Sequence, residues 1–597
     1  MPGTAHTDIP RDAGTANRSG ANAWSWDLLG ILLLTAAIRA VVVSQTPIIA
    51  KDGMLYVGIA RMINHGMWLD LVGDWFLFNP YPALIAWLQR CGLSFDFSGQ
   101  LISAVASTLA VVPLYLWGRR AFDPRVAQLA ALTYALHPVM LRFSGQVLRE
   151  GLYWCLMLWA VYAFWLAAQH RQLWRFAVAG LLTTAATLTR MEGAVLFILG
   201  AMWSISMCSG PANRHASTVA SGAAGGARLL PSWHAWRQSL APIVVACAVF
   251  PLTIIVLNLA FIPQGHGWHG CGRWIHFATR LVRGQEVAPA ATIVPQRMAE
   301  IVSSERTRTA QQSPKIDDVR RLAKSLPVWN PLGEPDLEQL RLQRFLILAD
   351  DQRLFLFAGR FLNECWDGLL FPCVICCFYG LYAGRQTLWV TRRDGPLAIM
   401  SVILSGMLIY HLSTEFILEP RYMFCLIPFV FPWSGIGARE LYRQVSAWFA
   451  GRPAWAAWQP SAPVLCVALM LLALGKLWMG LEDDTKLVQR QLGTRLRHTA
   501  TGRLKIAGPE SLRRVAHYAE ADYFIIPRGD AEAARRWLDE QHVDFVLTTA
   551  EEQRIVQSES PPSANGAMRY RPWESDHVKL GPIHVYWVDP AIRMLGS

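Results

Sequence analysis

The stretch KDGMLYVGIARMINHG, Lys51 to Gly66, decides how this chain is read. It follows the first long apolar run. A charged pair, Lys51 and Asp52, stands where a membrane helix should be ending, and the residues after it read as a short amphipathic helix. Leu55, Ile59, Met62 and Ile63 recur at helical spacing, with Tyr56 and Arg61 off that face. An acid, a phenol and a guanidinium on a helix at the water boundary raise the question of what they meet there.

Composition sets the class. Of 597 residues, 53% are hydrophobic and only 16% are charged, against about 25% charged in soluble domains. The 26 Trp residues fit a membrane–water interface, where Trp concentrates. The chain therefore reads as a polytopic membrane protein with soluble mass attached. Its net charge of +12 suits anionic membrane lipids and phosphate-bearing ligands. The basic residues are scattered and form no nucleic-acid-binding motif, so no nucleic acid is expected as a partner. Cys373, Cys376 and Cys377 in FPCVICCF have no second pair at zinc-ribbon distance and read as packing residues of a membrane helix.

A spanning helix needs about 20 apolar residues. Candidates fall at roughly 27–45, 98–118, 126–143, 147–167, 174–189, 193–209, 239–262, 366–384, 395–411, 423–438 and 462–480, about eleven in all. Residues 1–23 are polar and rich in Gly, Ala and Thr, and are expected to be disordered. The run after them lacks a small-residue cleavage site and reads as a retained helix. Arg119, Arg120, Arg125, Arg171, Arg175, Arg385, Arg392, Arg393, Arg439 and Arg443 sit in short loops that alternate onto one side, together with the Gly/Ala/Ser-rich linker 210–238. By the positive-inside rule that side is cytoplasmic, as is the N-terminus, in a multi-pass protein of the plasma (inner) membrane. The opposite side then carries outer loops at about 46–97 and 263–365 and the tail 481–597. The tail alternates strand-like and helix-like pieces: RLKIAG, ESLRRVAHYAEA, DYFIIP, DAEAARRWLDEQH, VDFVLTT and IHVYWVD. It is expected to be a small extracytoplasmic α/β domain appended to an all-α membrane domain, 24–480.

Ionisable residues share the outer level. Asp52 follows the first span. Arg149 and Glu150 lie between the third and fourth, Arg190 and Glu192 between the fifth and sixth, and Glu415, Glu419 and Arg421 between the ninth and tenth. One such residue reads as an interface anchor. Four groups mixing Arg with carboxylates read as a site that holds an anionic phosphate and also needs a base.

These residues carry a resemblance. KDGMLYVGIARMINHGMW resembles the first outer loop of GT-C membrane glycosyltransferases, in the branch of bacterial protein O-mannosyltransferases and lipid A aminoarabinose transferases. The family's Asp, Tyr, Ala, Gly and aromatic positions correspond to Asp52, Tyr56, Ala60, Gly66 and Trp68. SGQVLREGLYW is similar to the family's next acidic segment, with Glu150 at the acid. LTRMEGAVLF resembles its basic residue plus Gly after the fifth span, and EPRYMFCLIPF its late Arg-Tyr followed by Pro, here Arg421, Tyr422 and Pro428. The resemblance spans roughly residues 27–210 and 395–440. One departure concerns the later part of the first loop. Relatives often carry Lys-Pro-Pro or Glu-Lys-Pro there and this chain has FNPYPAL, so a basic residue that helps bind substrate phosphate is missing.

The resemblance implies a GT-C-like fold and transfer of a sugar, with inversion, from a polyprenyl-phosphate carrier to an acceptor glycan, lipid or protein. Asp52 is then the general base. The leaving phosphate needs positive charge, which Arg190 and Arg421 can supply. Tyr56, Arg61, Glu192 and Tyr422 complete the expected substrate-binding set. Glu150 either orients the acceptor or joins Asp52 at a divalent metal. No cofactor is required by these motifs. His266, His269, Cys271 and His276 offer metal-ligand spacing, and a Gly-rich loop with interface Trp explains them without a metal. The competing readings are a transporter or flippase of a lipid-linked saccharide, which predicts repeated halves and mid-depth polar residues, and a receptor that binds a ligand through its tail.

Overall fold

The computed structural model describes residues 26–46, 48–65, 79–208, 233–261, 350–369, 371–385, 394–415, 420–450, 484–499, 504–526, 531–549, 570–572 and 583–588. Helix α1 (Trp26–Ser44) leads to α2 (Lys51–Asn64) and α3 (Pro80–Arg90). Next come α4 (Phe95–Leu109) and α5 (Val111–Ala121), which make one long rod with a joint at Ala110. Pro113 explains the joint, because it has no N–H to offer the carbonyl four residues back. Then follow α6 (Pro124–Leu136), α7 (Pro138–Ser144), α8 (Glu150–His170), α9 (Leu173–Thr189), a 3-10 turn at Met191–Ala194, α10 (Val195–Cys208) and α11 (Trp233–Phe261). Beyond these lie α12 (Asp350–Leu369), α13 (Phe371–Ala383), α14 (Asp394–Glu415), a 3-10 turn at Pro420–Leu426 and α15 (Ile427–Ala450).

By length and composition, four helical segments among the described residues can cross a membrane: Trp26–Ser44, Phe95–Ala121, Glu150–His170 and Gly395–Leu412. Shorter apolar helices at Leu173–Thr189, Met191–Ile205, Leu240–Thr253 and Phe371–Ala383 accompany them. Most expected spans coincide with these helices. The span expected at 126–143 is instead broken at His137, whose extended backbone (φ −64, ψ 116) precedes Pro138. A residue before proline is driven out of the helical region, and the His137 ring caps the new helix by accepting from the Met140 N–H. The span expected at 423–438 begins as the 3-10 turn and continues well past its expected end. The last sixteen residues of the expected loop 263–365 are helix α12. The expected span at 462–480, the N-terminal 1–23 and residues 210–232 of the linker lie outside the described residues.

One continuous apolar core joins α1 and α4 to α15. Deep inside it Arg39 donates from Nε to Ser107 Oγ at 2.8 Å and stacks over Tyr134 at 5.4 Å, tying α1 to α4 and α6. A second apolar cluster holds α2 and α3 against α4 and the Val147–Leu148 segment. Here the expected face of α2 is corrected. The structure buries Tyr56, Val57 and Ala60 and leaves Leu55 54% exposed. The small and aromatic side is the one that allows close approach to protein. The large aliphatic side can face lipid, which is as apolar as a core.

The tail is built as its alternation implied. A helix the sequence reading did not mark, α16 (Asp484–Thr499), precedes β1 (Lys505–Gly508), α17 (Arg513–Ala519), β2 (Asp522–Ile525), α18 (Ala531–Gln541), β3 (Phe545–Thr548), β4 (Tyr570–Pro572) and β5 (His584–Val588). The sheet order is β2-β1-β3-β5-β4. Strand β1 pairs in parallel with β2 and β3, while β5 runs antiparallel to β3 and β4. Apolar clusters cover both faces, one with Leu492, Leu496 and Val515 and the other with Ala534 and Leu538.

Helices α8 and α4 cross at Gly151, where an added Cβ would stand 2.6 Å from the Ser103 carbonyl oxygen. Gly151→Ala should therefore push the helices apart and cost about 1–3 kcal/mol. A lowered thermal midpoint of the purified protein would show this, and an unchanged midpoint would mean that the crossing tolerates the methyl group.

Candidate active site

Four chain segments deliver the charged side chains. Asp52 stands in the first turn of α2, where a carboxylate complements the helix dipole. The next residue, Gly53, lets α2 lie hard against the segment leading into α8; a Cβ there would meet the Val147 carbonyl oxygen at 2.7 Å. Glu150 opens α8. Arg190 closes α9 in an extended conformation (φ −147, ψ 134), so the helix stops there and the 3-10 turn carrying Glu192 begins. Arg421 and Tyr422 lie in the 3-10 turn that starts at Pro420.

These residues, far apart in sequence, form one chain of alternating charge. Arg421 Nη1 bonds Asp52 Oδ2 at 2.5 Å and lies 3.8 Å from Glu150 Oε1. The same Glu150 oxygen accepts from Arg190 Nη1 at 2.7 Å, and Arg190 Nη2 donates to Glu192 Oε1 at 2.8 Å. Glu150 is 2% and Arg190 6% exposed, whereas Asp52 at the other end is 42% exposed. The interior of the chain is thus dry and its Asp52 end is open to a substrate.

Aromatic rings enclose it. Tyr422 lies under both guanidinium groups, 5.3 Å from Arg190 and 5.6 Å from Arg421, with the His411 ring 5.2 Å away. Tyr153, one turn along from Glu150, lies 5.9 Å from Arg190. Tyr56 packs edge-on to Tyr81 at 5.4 Å and carries Arg149 over its ring at 5.8 Å. The Tyr81 hydroxyl meets Ser103 Oγ at 2.9 Å, and Ser103 donates to the Leu148 carbonyl at 2.7 Å. A hydrogen-bonded path therefore leads from the ring beneath Tyr56 to the residue two before Glu150.

Asp52, Glu150, Arg190, Glu192, Arg421 and Tyr422 are brought together, with Tyr56 at their edge. Arg61 is not. It points away, stacks over Phe95 at 5.4 Å and lies 3.6 Å from Glu520 of the tail, because it sits about two and a half turns beyond Asp52 on a helix whose far end meets that domain. Asp52 and Glu150 share the Arg421 guanidinium. No three His, Cys, Asp or Glu side chains converge as a metal site among the described residues. His266, His269, Cys271, His276, Gly66 and Trp68 lie outside the described residues. Sequence reasoning did not assign roles to Arg149, Tyr153 or Tyr81. Tyr153 was legible as the residue one turn along from Glu150, whereas Tyr81 comes from a separate helix and left no local signal. A cleft of about 540 Å3 lined by Asp123, Trp433, Arg439 and Arg443 lies far from this cluster. About 18 Å of helix separates Ile427 from Arg439, and its arginines are already paired with Asp123 and Glu440.

Residues 81–223 match the family model described as dolichyl-phosphate-mannose-protein mannosyltransferase, a stretch that includes Glu150, Arg190 and Glu192. In structure, the chain is similar to ArnT from Cupriavidus metallidurans bound to undecaprenyl phosphate. The two are 11% identical with a TM-score of 0.53, over 94% of this chain and 97% of that one. The apo form of the same protein gives 12% identity and a TM-score of 0.51 over the same shares. The Archaeoglobus fulgidus oligosaccharyltransferase in its apo form is 13% identical with a TM-score of 0.47, over 95% of this chain and 74% of that one. No curated protein matches the chain in sequence.

Removing one member of a buried ion pair costs about 3–5 kcal/mol. Glu150→Gln should therefore lower stability by that order, and Glu192→Gln by less, since its side chain is 30% exposed. Thermal unfolding of the two purified variants checks the order; the reverse order would make Glu192 the structural carboxylate.

Proposed function

We infer that this chain, a multi-pass membrane glycosyltransferase of the GT-C class, moves a hexosyl or pentosyl group from a polyprenyl-phosphate carrier to an acceptor glycan, lipid or protein, with inversion at the anomeric carbon. The observation that carries this reading is the sharing of carboxylates by two arginines. Arg421 bonds Asp52 and reaches Glu150, which also holds Arg190, at the end of the bundle where a lipid-borne phosphate is presented. A transporter pathway calls for such groups at mid-depth.

In the reaction, the acceptor oxygen attacks the anomeric carbon and gives its proton to Asp52, while the carbon–oxygen bond to phosphate breaks with its electron pair on the phosphate. A sugar phosphodiester carries one negative charge and the departing polyprenyl phosphate a second. Arg190 and Arg421 are placed to meet that growing charge, with Tyr422 keeping water from their faces. Asp52 and a phosphate compete for Arg421. Donor binding draws the guanidinium toward the phosphate and leaves the Asp52 lone pairs free for the acceptor proton. Glu150, fixed by Arg190, positions both arginines and orients the acceptor. Arg149, over Tyr56, adds a third guanidinium on the side where the first loop lacks a basic residue.

The assigned sidedness puts the cluster and the tail on the extracytoplasmic side of the inner membrane. Single cysteines replacing Arg171 and Glu540 in a cysteine-free background test this. An impermeant thiol reagent applied to intact cells should label Glu540→Cys and spare Arg171→Cys, and the reverse pattern would invert the assignment.

Transfer from a radiolabelled polyprenyl-phosphate sugar by purified enzyme tests the chemistry. General base catalysis contributes about 100- to 10,000-fold, so Asp52→Asn should slow turnover at least about 100-fold while donor binding stays near normal. Arg190→Ala and Arg421→Ala should weaken donor use, and Lys at either position should restore only part, because a point charge replaces a planar fork. Wild-type transfer by Asp52→Asn would end the role given to that residue. Retained anomeric configuration in the product would end the single-displacement reading.

A further inference from the structure

The helix Arg513–Ala519 of the tail reaches back across the sequence and holds the segment that leads into Asp52. The backbone N–H of Ile49 donates to the Tyr518 hydroxyl at 3.1 Å, and the Ile49 carbonyl accepts from Arg514 Nε at 3.4 Å. Both polar backbone groups of one residue are thus engaged by one helix, three residues before Asp52. The Ile49 side chain is buried in the same apolar cluster as Met54, Tyr56 and Val57, and Tyr518 packs against that cluster. Ala50, the residue at the helix cap, offers no side-chain cap of its own. The start of α2 is therefore held from outside the membrane domain as well as by its packing against Val147.

Further contacts fix the tail in that position. His517 Nε2 lies 3.3 Å from Asp96 Oδ1 at the start of α4. At the other end of α2, Arg61 lies 3.6 Å from Glu520, which also pairs with Arg497 at 3.0 Å. Arg490 stacks over the Tyr518 ring at 5.8 Å. Burial pushes the Tyr518 hydroxyl up to about 12, so it remains a neutral phenol at physiological pH. The grip thus spans α2 from before its first turn to its last.

We propose that the tail domain is part of the catalytic apparatus: Tyr518 and Arg514 are positioning residues that hold Ile49 and thereby set the Asp52 carboxylate against the Arg421 guanidinium. The proposal rests on the reading of Asp52 as the base. A neutral hydroxyl and a guanidinium on a single backbone unit fix both its place and its rotation, and a displacement of about 1 Å at a reacting group can cost about 100-fold in rate. This gives the tail a role in the transfer step itself, distinct from recognition of an acceptor.

The test is a double-mutant cycle on the full chain, with donor KM and kcat measured separately. Tyr518→Phe keeps the ring and its packing and removes only the hydroxyl. It should lower kcat about tenfold and leave donor KM within about twofold. In the Asp52→Asn background the same change should alter the residual rate by less than about twofold, because the group being positioned no longer takes the proton. Arg514→Gln, which spares the buried ring, should repeat the pattern if Tyr518→Phe fails to fold. An equal loss in both backgrounds would show that the tail acts elsewhere and would overturn the proposal while leaving the role of Asp52 intact. An unchanged kcat in Tyr518→Phe and Arg514→Gln would overturn it as well. An Asp52→Asn enzyme at wild-type rate would remove the base assignment itself, and the proposal with it.

Discussion

The Glu150 carboxylate accepts from Arg190 at 2.7 Å, lies 3.8 Å from Arg421 and is 2% exposed, and much of the outer end of the bundle follows from that. A lone carboxylate in such a place is costly to ionise, and its desolvation is offset only if cations of good geometry reach it. Two come from segments far apart in sequence, one from the end of α9 and one from the turn before α15. Their arrival requires α8 to lie against α4 without a side chain at Gly151, and α2 to lie against Val147 without one at Gly53. All three acids of the site, Asp52, Glu150 and Glu192, have a glycine as their next residue, and at each a Cβ would meet backbone atoms closer than 3 Å, so close backbone approach brings the acid into place.

The rings around the charges serve the same end. Tyr422 and Tyr153 present their faces to Arg190, and Tyr422 also to Arg421. A guanidinium is weakly hydrated and stacks on aromatic faces, so these rings replace water without removing the donors that bind anions. The Asp52 end is different: it is 42% exposed and is bounded by a backbone segment that the tail helix holds. The site thus has a rigid dry half built by the membrane helices and an open half whose geometry depends on a second domain.

Much of this was legible in the sequence, and the limits have physical causes. Apolar runs of spanning length gave most of the membrane helices because hydrocarbon burial demands them. Strand–helix alternation gave the tail, because its strands and helices carry different hydrophobic periods. The break at His137 was hidden in an apolar run and is set by a single proline. The buried face of α2 was misjudged because hydrophobicity alone does not separate a lipid-facing Leu55 from a protein-facing Ala60. The charged residues were legible as a group through their shared level. Their pairing was not, since Asp52 and Arg421 are 369 positions apart. Arg61 was drawn into the expected site by sequence proximity to Asp52, yet about two and a half helical turns carry it to Glu520 instead.

The charge count around the donor site bears on the order of events. Asp52, Glu150 and Glu192 are balanced by Arg149, Arg190 and Arg421, so without a donor the cluster is neutral and each inner arginine already has a carboxylate. An incoming phosphate adds a negative charge that Arg190 meets without leaving Glu150, because unpairing either member of that buried pair is costly. The Arg421–Asp52 pair can rearrange, since Asp52 has access to water and loses little on release. The cheapest response to the donor is therefore to move Arg421 off Asp52. In the proposed reaction, that step brings positive charge to the leaving phosphate and releases the Asp52 carboxylate at the same moment. In that reading, a water molecule beside an empty site meets an Asp52 carboxylate still held by Arg421.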